Sequence, residues 1–161
     1  MKKKLLLLLL LVANTALSAF AINKKPFTIP EVKQWKGAEG ELALSGRIVC
    51  NGAEERQVAQ QLADDYRLMF GTTLSVSQGK AKKGDIVLSL KGAKTLGEEG
   101  YTMAITGQVN IAAANRKGLY WGTRTLLQLA EQNEKHALPC GFISDMPDYP
   151  FRGFMLDCGR K

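Results

Sequence analysis

Asp64-Asp65 and Glu98-Glu99 each set two carboxylates side by side, the residue type that general acid/base catalysis draws on. Neither pair has an apolar setting that would move a pKa, so both read as solvated surface. His136 is the sole histidine. No His-based triad or multi-His metal site can be assembled around it, and a loop position is expected. Cys50, Cys140 and Cys158 are odd in number, and their spacings match no metal or disulfide framework. They are read as buried thiols without assigned chemistry, the pairing of two of them left open. Gly97, Gly100, Gly107 and Gly118 read as turn and cap positions, because no G-x-G-x-x-G or P-loop pattern accompanies them. Trp121 offers a face on which a sugar could stack, but Tyr120-Trp121 near a helix start reads first as packing. The densest basic cluster, Lys80-Ala81-Lys82-Lys83-Gly84, has no interleaved aromatic residue. It reads as a solvated loop and not as a nucleic-acid patch. Arg160, taken by itself, is a charge directed into solvent. No catalytic residue, metal ligand or cofactor is assigned within the chain.

The elements that would position such groups follow an export signal. Lys2, Lys3 and Lys4 precede the apolar run Leu5–Val12, and Ser18-Ala19-Phe20-Ala21 supplies a small-x-small cleavage pattern. Cleavage after Ala21 makes residues 1–21 a signal peptide and Ile22 the mature N-terminus. The apolar run is far short of the ~20 residues that span a bilayer. The expected location is therefore periplasmic or secreted, with no membrane attachment after cleavage. Loss of the three signal lysines leaves 19 basic against 15 acidic residues, a mild excess. An apolar content of 45% beside 23% charged residues argues for a folded domain over disorder.

Asn23 to Lys36, with Pro26 and Pro30, reads as an extended lead-in. Strand-like pieces are expected at Glu41–Leu44 and Arg47–Cys50. Asn51 reads as the N-cap of a helix carrying Val58, Leu62, Tyr66 and Met69 on one face and stopped by Gly71. Leu74–Val76 and Asp85–Leu90 read as strands. Tyr101, Met103 and Ile105 alternate with smaller or polar residues, Gly107-Gln108 supplies a tight turn, and Val109, Ile111 and Ala113 return. Asn115 then caps a second helix over Arg116–Glu131. Strands and helices do not alternate regularly, so the fold class is α+β: a mostly antiparallel sheet with two helices on one face.

Leu138–Ile143 leads into a turn-rich linker, Ser144–Pro150, and a new apolar strand begins at Phe151. A strand starting there with nothing to pair against is expected to open a further domain, so the sequence reads as part of a longer protein.

Three segments resemble a known family. They are Ile29-Pro30-Glu31-Val32-Lys33; Glu99-Gly100-Tyr101 through the hairpin to Gly118-Leu119-Tyr120-Trp121-Gly122-Thr123-Arg124-Thr125-Leu126-Leu127-Gln128-Leu129; and Ile143-Ser144-Asp145-Met146-Pro147 with Arg152-Gly153-Phe154-Met155-Leu156-Asp157-Cys158-Gly159-Arg160. In this order they resemble the bacterial β-N-acetylhexosaminidases of glycoside hydrolase family 20. The resemblance implies a non-catalytic α+β domain over 22–143, a linker over 144–150, and the first strand of a (β/α)₈ barrel over 151–161. It implies that Arg160, at the catalytic rim where strand one ends, grips hydroxyls of a terminal N-acetylhexosamine. It also implies substrate-assisted retaining hydrolysis, in which an Asp-Glu pair on a later barrel strand orients the acetamido group and supplies the acid. That pair is absent from the present residues, so the chain alone is expected to be inactive. One rival is the front domain of another barrel glycosidase, such as the family 84 hexosaminidases, against which the Asp157-Cys158-Gly159-Arg160 ending speaks. A stand-alone carbohydrate-binding or scaffold module is the other, disfavoured because the sequence stops inside an apolar strand.

Overall fold

Alternation of large apolar with small or polar residues builds the centre of the molecule. A computed structural model describes residues 21–156 and 158–159. In it Tyr101–Ile105 (β5) and Val109–Ala113 (β6) pair antiparallel, with Ile105 opposite Val109. The connection is the three-residue loop Thr106-Gly107-Gln108, one longer than the expected Gly107-Gln108 turn, closed by Thr106 N–H donating to the Gln108 carbonyl at 3.1 Å. Tyr101, Met103, Ile105, Val109, Ile111 and Ala113 are all buried, so one face of the hairpin is core along its whole length.

Five further strands extend this pair: β1 (Gln34–Leu42), β2 (Arg47–Val49), β3 (Ser75–Ser77), β4 (Ile86–Ser89) and β7 (Leu138–Asp145). The seven-stranded order is β1-β7-β5-β6-β4-β2-β3. The expected antiparallel majority is not present. β1/β7, β7/β5 and β5/β6 are antiparallel, whereas β6/β4, β4/β2 and β2/β3 are parallel. Part of the cause is a helical crossover between β2 and β3, which returns the chain to the end from which it started.

That crossover is α1 (Ala53–Phe70); α2 (Arg116–Glu131) joins β6 to β7. α1 starts one residue later than expected, with Gly52 rather than Asn51 at its N-cap, and ends at Gly71 in the left-handed region (φ 68°). α2 is capped as its sequence indicates, the Asn115 side chain accepting from Lys117 N–H at 3.1 Å. The helices touch through Arg116–Gln57 and Arg124–Asp65 and share one core with the sheet, so they form a single layer on one of its faces. Leu62 from α1, Leu119, Leu126 and Leu129 from α2, and Ile48, Ile86 and Ile143 from the sheet are fully buried there.

Two strands run beyond what the sequence reading assigns. β1 takes in the end of the lead-in at residues 34–36 and reaches the start of the strand expected at Glu41–Leu44, and it is an edge strand built from Gly37, Ala38, Gly40 and three charged residues. Gly37 is required: a Cβ there would stand 2.0 Å from the Asn23 carbonyl oxygen, because residues 22–23 run antiparallel alongside β1, Ile22 bridging Glu39 and Asn23 N–H donating to the Ala38 carbonyl. β7 contains Pro139, which is tolerated because β5 ends at Ile105 opposite Gly141 and Pro139 pairs with β1 alone. Ser144 and Asp145, read above as linker, are the end of β7, opposite Thr102 and Tyr101. The expected strand from Phe151 is not formed over Phe151–Leu156, whose large apolar side chains are exposed. A strand needs a hydrogen-bonded neighbour, and none of the seven described strands pairs with this segment.

Candidate functional site

One residue or more of each segment that carries the family resemblance is joined to the buried ring of Tyr101, directly or through Asp145. Its hydroxyl lies 2.6 Å from Thr125 Oγ1 on α2 and donates to Asp145 Oδ2 on β7 at 3.2 Å. With the phenol proton directed to the carboxylate, the Thr125 hydroxyl is left to donate to the phenol oxygen. Burial pushes the Tyr101 phenol well above its ordinary pKa, and the neighbouring Asp145 charge adds to the rise. This phenol stays protonated and structural. Asp145 Oδ1 in turn accepts from the Lys33 backbone N–H at 3.1 Å, fastening the first segment to the third.

α2 supplies the other attachments. The Gln128 amide accepts from Ile29 N–H at 2.7 Å and donates to the Ile29 carbonyl at 3.2 Å, as a neighbouring strand would. Gln132 Nε2 donates to the Phe27 carbonyl at 2.8 Å. Arg124 donates to Asp65 Oδ2 at 2.5 Å, and its guanidinium lies 4.6 Å from the centre of the Tyr120 ring. Gly118 and Gly122 are close-approach positions: a Cβ on Gly118 would be 2.2 Å from the Gly100 carbonyl oxygen, and one on Gly122 2.5 Å from an Ile111 methyl. The fixed offsets of Gly, Arg, Thr and Gln along α2 thus have packing causes. They seat the helix on the hairpin and on α1 and hold the segment that leads into the domain.

The remaining sequence candidates are dispersed. Asp64 is exposed and accepts from Gln60, whereas Asp65 is half-buried and paired with Arg124. Glu98 meets Lys117 at 3.4 Å, and Glu99 meets Arg152. Each carboxylate has its own partner, so neither doublet is arranged as an acid and a base acting on one substrate. His136 sits in the loop after α2, its Nδ1 3.0 Å from the Ala130 carbonyl oxygen and its ring 4.3 Å from that of Phe70. Of the three cysteines only Cys50 is buried; Cys140 is half-buried, Cys158 exposed, and all are free. Trp121 is 42% exposed and, with Gln57, Gln61, Glu99, Arg116 and Tyr120, borders an open groove of about 480 Å³ between the helices. Ala21 is exposed without regular structure. Ala19 and Arg160 lie outside the described residues.

Sequence reasoning missed one strongly charged site. Asp85, read only as the first residue of a strand, is 1% exposed. Its carboxylate accepts from Ser45 Oγ at 2.7 Å, Arg47 Nε at 3.1 Å, Arg47 Nη2, and Lys82 N–H at 2.7 Å. The Arg47 bond, opposed by burial and supported by Ser45 and the Lys82 amide, holds it well below the usual carboxylate range. These partners tie β2, the lysine loop and β4 together.

Comparison with known proteins follows the same lines. Residues 25–146 match the model of glycosyl hydrolase family 20, domain 2. The Beta-hexosaminidase of Porphyromonas gingivalis is 33% identical over 123 residues, covering 70% of this chain and 16% of that protein. The GH20 beta-N-acetylhexosaminidase from Streptomyces coelicolor A3(2) superposes with a TM-score of 0.66 at 28% identity, over 76% of this chain and 27% of that one. CpGH84D gives a TM-score of 0.65 at only 12% identity, over 82% of this chain and 26% of that one, a likeness of fold alone. The chain spans about a sixth of the length of the curated relatives it matches.

Proposed function

The chain belongs to glycosyl hydrolase family 20, whose domain 2 it contains, and on that premise we propose that it is the N-terminal part of an exported exo-β-N-acetylhexosaminidase. The enzyme would remove terminal N-acetylglucosamine or N-acetylgalactosamine from glycans by substrate-assisted retaining hydrolysis. The 2-acetamido oxygen would attack the anomeric carbon, and an Asp-Glu pair on a later barrel strand would orient it and supply the proton. Within the present residues Arg160 would be the substrate contact, at the end of a barrel strand that would begin at Phe151 once the rest of the barrel is there to pair with it. The observation that carries this reading is the match across residues 25–146. The convergence of the motif residues on Tyr101, Asp145 and Gln128 supports a positioning role for the domain itself.

The 161-residue chain should show no hydrolysis of a chromogenic N-acetyl-β-glucosaminide above background, whereas a longer protein that continues through the barrel should turn it over. Activity of the shorter chain that survives repurification would put the acid and base among the residues described above. Export is proposed through cleavage after Ala21, which leaves Ile22 as the first mature residue. N-terminal sequencing of exported protein should read Ile-Asn-Lys-Lys, and a retained leucine run would overturn the cleavage site.

A further inference from the structure

Beyond the hub around Tyr101, a separate contact lies on the far side of the linker. Arg152 donates through Nη2 to Glu99 Oε2 and through Nη1 to the Tyr149 carbonyl at 2.5 Å. One guanidinium therefore ties its own chain three residues back and the domain fifty-three residues back. The receiving carboxylate sits beside closely packed backbone. Glu99 precedes Gly100, where a Cβ would be 2.2 Å from the Leu96 carbonyl oxygen, and a Cβ on Gly118 at the start of α2 would be 2.2 Å from the Gly100 carbonyl oxygen. Earlier in the linker, Asp145 is held by Tyr101 and Lys33 N–H, and Asp148 by the Lys33 ammonium. The path from β7 to Phe151 is thus fastened at its start and at its end.

We propose that Glu99 is a positioning residue: by gripping Arg152 it fixes the direction in which the chain leaves this domain, and with it the placement of Arg160. The first half of the proposal stands on the contacts alone. The second half rests on the reading that residues from Phe151 begin the catalytic unit. The Glu99 carboxyl, held below its ordinary pKa chiefly by the Arg152 hydrogen bond, remains charged and able to grip at neutral pH.

Trypsin tests the grip, because the protease must take the Arg152 side chain into its own pocket. In the 161-residue chain Glu99→Gln should raise cleavage after Arg152 about three- to fivefold relative to cleavage after Lys135, with an unchanged melting temperature. Glu99→Asp, which keeps the charge, should restore part of the protection. Equal rates in wild type and Glu99→Gln would overturn the grip. In the longer enzyme, Glu99→Gln should lower kcat/KM and Glu99→Asp should recover part of it. The loss should largely vanish in an Arg160→Ala background, since two residues acting on one contact are not additive. Additive losses, or no loss, would overturn the positioning role. A longer enzyme inactive on N-acetylhexosaminides would instead contradict the proposed function, with the trypsin result still deciding the grip.

Discussion

Asp85→Ala should destabilise the domain by about 3 kcal/mol at neutral pH, as removal of one partner from a buried ion pair does. The carboxylate is almost wholly enclosed, and its loss strands Ser45 Oγ, the Lys82 N–H and the Arg47 fork together. Arg47 keeps partial access to water, which places the effect at the lower end of the range for such pairs. The pH dependence has a definite sign. The folded-state pKa of Asp85 is depressed, so its contribution is fully present above the unfolded carboxylate value near ~4 and is lost as pH falls toward the folded value. Urea unfolding of wild type and Asp85→Ala should differ by a constant amount from pH 8 to pH 5 and converge progressively below about pH 4. A difference that persists unchanged into acid would show that the carboxylate charge is not what stabilises the site.

In the longer enzyme, Arg160→Ala should lower kcat/KM about ten- to a hundredfold and leave the melting temperature nearly unchanged. A guanidinium presents a planar fork of donors, suited to two hydroxyls of one sugar ring. Losing a charge-assisted hydrogen bond of that kind costs about 1.5–3 kcal/mol, which corresponds to the stated fall in rate. A side chain at the open rim of a barrel contributes little to packing, so folding should be spared. Intact kinetics, or an unfolded variant, would return Arg160 to the solvated or structural reading.

Much of the domain is legible in the amino-acid order because local signals and tertiary context agree. The β5–β6 hairpin alternates cleanly with one face buried, and α2 has both its Asn115 cap and its apolar stripe. β1 and β7 are hidden because neighbours hold them in place of propensity. β1 is rich in glycine and charge, and β7 carries Pro139 and Gly141, the glycine making room for the Trp35 ring, which a Cβ would meet at 2.3 Å. The parallel half of the sheet is hidden for another reason: periodicity marks a strand but not the direction of its partner.

The same division runs through the candidate site. The α2 motif identifies a family, yet its residues turn out to clamp Ile29, 99 residues away, Asp65, 59 away, and the hairpin, contacts that no local pattern encodes. Asp85 and Arg47 are 38 positions apart, and Glu99 and Arg152 are 53. Each looks like ordinary surface charge until the fold brings it to its partner. Fold alone does not choose between glycosidase families, since CpGH84D superposes about as well as the family 20 enzyme; the motif residues and the match over 25–146 decide it.

The most direct test of this account is a comparison of two substrates with one longer protein that contains this chain. The substrates share a chromogenic leaving group, one an N-acetyl-β-glucosaminide and the other a β-glucoside lacking the 2-acetamido group. If the acetamido oxygen is the nucleophile, the first is hydrolysed and the second is not. Comparable turnover of both, or turnover of the glucoside alone, would contradict the account.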